Sequence, residues 1–159
     1  MNTLLAGSLL SAALGLSLGC APWRILMIAA GFWAAIILCA GYSSVPATWS
    51  SILASAAFAS VILNAATSYL PKGPGPYLSL GMAANAGLWT GALLAAGGRQ
   101  DLLALVAPWI FLALPAGWLI RKGARIAVQV AASWLIAVAV LAVALPLVSV
   151  PAYQSDHME

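Results

Sequence analysis

The residues able to do chemistry in this chain are few, and most of them carry no charge. Ser60, Asn64, Thr67 and Ser68 recur at spacings of three or four within one apolar run. Asn85 stands in the middle of the next run, and Gln129 and Ser133 lie four apart in the last. At that spacing, groups share one helix face. With no base or buried carboxylate beside them, these serines have no partner to activate them as nucleophiles. Two uses remain. Either the groups hydrogen-bond between helices, or Ser60, Asn64, Thr67, Asn85, Gln129 and Ser133 line a small polar cavity or solute path.

Metal and redox chemistry has less to stand on. The single histidine, His157, lies with Asp156 and Glu159 in YQSDHME, a short tail rather than a preformed site. Paired-histidine haem ligation needs a second histidine. Cys20 and Cys39 stand apart, without a CxxC, and read as reduced thiols. No phosphate loop or dinucleotide fingerprint occurs. The expectation is a non-enzymatic chain without metal or cofactor.

Composition sets the scaffold that positions these groups. The 159 residues are 64% hydrophobic and only 6% charged, against roughly 25% charged in a soluble domain. So few solvated groups cannot cover a water-facing surface, and hydrocarbon is the expected solvent. The six basic residues are scattered along the chain, which leaves no nucleic-acid footprint. The predicted fold is all-α: a polytopic transmembrane helical bundle of about six spans with short loops.

Charge-free runs place those spans at 2–19, 23–42, 48–70, 77–97, 102–120 and 126–148. Each approaches the roughly 20 residues a bilayer requires. They form one domain over 1–150, followed by a polar tail, 151–159. CAPWR, PKGPGP, GGRQD and RKGAR mark breaks; in PKGPGP three prolines each remove a backbone donor. Pro108 and Pro115 fall inside the fifth run, where kinks are expected. The first run ends in LSLGCA, a faint likeness to a lipoprotein cleavage site. No Lys or Arg precedes it, so it is expected to remain as a span.

The charges fix an orientation. Arg24, Lys72, Arg121, Lys122 and Arg125 all fall in alternate loops on one side, while the opposite loops hold only Arg99, beside Asp101. The positive-inside rule makes the rich side cytoplasmic. It predicts a multi-pass protein of the bacterial inner membrane with both termini periplasmic. The same cations are candidate anchors for lipid headgroups.

Two stripes of small residues suit close helix packing: Gly7, Ser11, Gly15 and Gly19 in the first run, and Ala83, Gly87, Gly91 and Ala95 in the fourth. The expected partners are the bilayer and either other membrane subunits or further copies of the chain. The functional expectation is a non-catalytic accessory, assembly or structural subunit of a membrane complex. The alternative is a small homo-oligomeric permease or channel for a neutral or passively moving solute, since no ionisable residue for coupling lies within a predicted span.

Overall fold

The computed structural model describes residues 3–41, 43, 45–71, 73–97 and 107–145. Among these, the regular structure is entirely helical. Six α-helices follow in order: α1 (Thr3–Gly19), α2 (Trp23–Gly41), α3 (Ser50–Ala66), α4 (Pro76–Gly97), α5 (Ala113–Arg121) and α6 (Arg125–Ala144). Short 3-10 segments occupy Ala47–Trp49, Thr67–Tyr69 and Ala107–Leu112. Four stretches are long and apolar enough to cross a membrane: Trp23–Gly41, Ser50–Tyr69, Pro76–Ala96 and Arg125–Ala144. Two more, Leu5–Gly19 and Pro108–Arg121, are apolar but shorter.

The fifth run differs from a continuous kinked helix. Its α-helical part begins only at Ala113, after six residues of 3-10 helix. Pro108 has no N–H to donate, and the Pro115 ring would crowd the carbonyl of residue 111 in a regular helix. Pro115 instead sits in the first turn of α5, where no donor is required. The looser rise of the 3-10 stretch, about 2.0 Å per residue, lets Ala107–Arg121 reach about 25 Å despite its shortness. Residues 102–106, the last part of the sixth run (146–148), the tail 151–159, Asn2, Lys72, Arg99 and Asp101 lie outside the described residues.

Glycine contacts give the helix directions. A Cβ on Gly87 would stand 3.0 Å from the Trp33 carbonyl oxygen, and one on Gly91 2.5 Å from the Ala40 Cβ. Both positions advance together, so α2 and α4 run parallel. Gly15 likewise abuts Ile110, and Gly19 abuts Ala116, which makes α1 and α5 parallel. At the α3–α6 contact the order reverses: Tyr69 meets Gln129, and Leu70 and Pro71 meet Arg125. The helices therefore alternate up and down, and the loops after α1, α3 and α5 gather at one end.

At the centre is α1, which packs against all five other helices. Leu10, Leu14, Leu18, Ala6 and Ala13 are fully buried, and Ala12 nearly so. Around it, α3 faces α6 and α4, and α2 rides on the outside of α4. Two glycines with positive φ close the gathered end. Gly123 (φ +80°) ends α5 in a Schellman motif, with its N–H bonded to Ile120 O and that of Ala124 to Leu119 O. Gly73 (φ +71°) lies so near the α1–α2 turn that a Cβ would stand 2.8 Å from the Cys20 carbonyl oxygen.

Candidate functional site

Polar side chains meet where α3 crosses α4. Asn64 Nδ2 donates to the Ser60 carbonyl at 2.9 Å, and Asn85 Nδ2 donates to Ser60 Oγ across the helix pair. Trp89 Nε1 completes the chain by donating to Asn85 Oδ1 at 3.0 Å. One turn on, Thr67 Oγ1 donates to the Asn64 carbonyl at 2.7 Å. Ser60, Asn64, Thr67 and Ser68 are buried, while Asn85 and Trp89 are half-buried. The cluster thus unites Ser60, Asn64 and Asn85 in one network, with Thr67 at its edge. Trp89 enters it four residues after Asn85, a spacing that places the two on one helix face.

Among the described residues, four buried polar side-chain atoms have no hydrogen-bond partner: Asn64 Oδ1, Ser68 Oγ, Thr90 Oγ1 and Trp33 Nε1. Leaving such a group unsatisfied costs on the order of 1–3 kcal/mol. Asn64 lies near the end of α3, and Ser68 lies four residues on, in the 3-10 segment that follows.

Gln129 and Ser133 stand elsewhere. Gln129 contributes its backbone carbonyl, which accepts from Tyr69 Oη at 2.9 Å. Ser133 is exposed and bonds back to Val130 O at 2.8 Å within α6. Of the small-residue stripes, Gly15 and Gly19 seat the segment 109–117, and Gly87 and Gly91 seat α2. Gly7, Ser11 and Ala83 are buried and Ala95 half-buried.

The end that gathers the first, third and fifth loops also gathers the cations. Arg125 reaches across to the carbonyls of Leu70 and Pro71, at 2.6 Å for Pro71. These carbonyls lie just beyond the 3-10 segment Thr67–Tyr69 that follows α3, so the guanidinium ties the start of α6 to the loop after α3. Lys122 Nζ lies 5.9 Å from the centre of the Trp118 ring, within cation–π range. Arg24 and Arg121 are exposed, and Lys72 lies outside the described residues. Trp23, Tyr69, Tyr77 and Trp118 occupy the same end and are all exposed. Burial pushes the Cys20 thiol above its usual range, and Arg125 opposes that rise.

Chemically, this arrangement can bond helices together and present cations at one end. Among the described residues no group of three metal-ligating side chains occurs. Compared with protein-family models, curated proteins and solved structures, the chain matches none of them.

Proposed function

We propose that this chain is a multi-pass protein of a bacterial inner membrane, with both termini periplasmic, acting as a non-catalytic accessory or structural subunit of a membrane complex. One observation carries the reading: the polar groups at the α3–α4 crossing bond mainly to one another, around an axis already filled by α1. What the chain offers outward is helix surface. Met27, Ile28 and Phe32 on α2, and Ile126, Val130 and Trp134 on α6, are exposed large apolar side chains. Apolar surface on that scale belongs against lipid or another protein. The cation-rich end supports the cytoplasmic assignment.

Gentle affinity purification from native membranes, followed by intact mass measurement, tests the reading. Stoichiometric companion subunits are the expected result. A single homogeneous species without companions overturns it.

The partnerless Asn64 Oδ1 and Ser68 Oγ favour a second reading, a homo-oligomeric permease for a small neutral solute. Under it, Asn64→Leu and Asn85→Leu abolish flux in liposomes. Unchanged flux ends that alternative.

A further inference from the structure

The three cations of RKGAR have different surroundings. Arg125 is held by two backbone carbonyls and Lys122 rests against Trp118. Arg121 lines a cleft of about 370 Å³ between the α1–α2 turn and α5. Cys20, Trp23, Leu26, Leu114 and Ile120 form much of its wall. The volume falls within the roughly 300–1,000 Å³ usual for small-ligand sites. Its lining grades from a guanidinium to aliphatic side chains, a pattern that suits a molecule with an anionic head and an apolar body.

Carboxylates do not compete for the cation in the described part of the chain. The three acidic residues, Asp101, Asp156 and Glu159, all lie outside the described residues. A guanidinium presents paired donors that match phosphate oxygens. Arg24, one residue beyond Trp23 on the same end, adds positive potential. A second cleft differs in its lining. Leu9, Leu16, Trp109, Leu112, Trp134 and Leu135 line it without any cation, so nothing there would select a headgroup.

We infer that the Arg121 cleft binds the phosphodiester headgroup of an anionic phospholipid, with the glycerol and upper acyl chain against Leu26 and Leu114. The inference rests on the membrane reading above. Basic pockets between helices near the cytoplasmic face are suited to such headgroups. Lipid held there would bridge the start of α2 and the end of α5.

Native mass spectrometry of the full chain, titrated with phosphatidylglycerol or phosphatidylcholine, tests this. Phosphatidylglycerol should be retained in preference, and Arg121→Gln should lower its retention about fivefold, the order expected for one cation at an anionic surface. Leu114→Trp, which fills the cleft without touching the charge, should lower it as well. Lys122→Gln, which removes a neighbouring cation that does not line the cleft, should lower it less than Arg121→Gln does, and an equal loss overturns the inference. Equal retention by the wild type and Arg121→Gln overturns the inference. So does displacement by equimolar inorganic phosphate, which would make the site one for a free anion. Alkaline carbonate extraction distinguishes loss of the lipid site from loss of membrane integration. Protein that stays with the membrane yet shows no lipid preference refutes only the lipid site, whereas protein that is extracted refutes the membrane reading beneath it.

Discussion

α2 and α6 differ from α3 and α4 in a way that reverses the order found in water-soluble bundles. The two outer helices have the higher mean hydropathy and are the least buried; the two inner ones have the lower and are the most buried. In water the most apolar helix is driven inside. In hydrocarbon, a leucine gains little by leaving lipid for protein, and small residues that allow close approach, together with polar groups that need partners, decide which face turns inward. That is the division here. α4 brings Gly87 and Gly91 to its contact with α2, and α3 brings Ser60 and Asn64 to its contact with α4. The valines, isoleucines and tryptophan of α6 are largely left outside.

Enlarging small residues on inner and outer helix faces should have very different effects. Gly91→Leu should destabilise the fold by about 3 kcal/mol or prevent its accumulation, because a Cβ there already meets Ala40. Gly31→Leu on the exposed side of α2, where a Cβ would meet nothing within 4 Å, should stay within about 0.5 kcal/mol of wild type. Thermal unfolding in detergent checks both; equal effects would erase the inner–outer distinction. Next comes the cation clasp: Arg125→Gln should cost about 1–2 kcal/mol through two lost bonds to carbonyls. The exposed Arg24→Gln should cost almost nothing.

Within the polar set, Asn85→Leu should lower stability by about 1 kcal/mol, since it breaks the links to both Ser60 and Trp89. Gln129→Leu should be nearly silent, because only its backbone carbonyl is engaged. Tyr69→Phe should fall between these two, at about 0.5 kcal/mol for one exposed hydrogen bond. A chemical-denaturation series measured under one detergent condition ranks all of these. If Gln129→Leu exceeded Asn85→Leu, the placement of the cluster would fail.

The sequence made some of this legible and hid the rest for identifiable reasons. Helix existence followed from local chemistry. Charge-free runs broken at CAPWR, PKGPGP and RKGAR can be read from neighbouring residues, because a missing proline N–H or a glycine at positive φ acts where it stands. The all-helical class needed nothing further. The 3-10 character of Ala107–Leu112 was harder. Two prolines announce a disturbance in the backbone but leave its form to the packing of α1 against that segment.

Partner choice was not legible. Small residues four apart identify a face for close packing, yet nothing in GLWTG says that Gly87 and Gly91 meet α2 rather than α1. Nor does the presence of an amide say whether its side chain or its backbone does the bonding. Asn85 and Gln129 look alike in sequence and differ by the rotation of their helices about their own axes. The Arg125 clasp was hidden similarly, since the carbonyls it meets lie 54 and 55 residues away in the chain.

The central position of α1 has a consequence for biosynthesis. Among the six helices it is made first, yet its neighbours include the last ones made, α5 and α6. During synthesis it must wait, with Ser11 and Ser17 turned inward onto their own helix, bonded to Gly7 O and Leu14 O. Those local bonds let the segment sit alone in an apolar medium without exposed donors. Its packing is then completed only when the closing helices arrive, which makes the intact C-terminal half a condition for burying the N-terminal one.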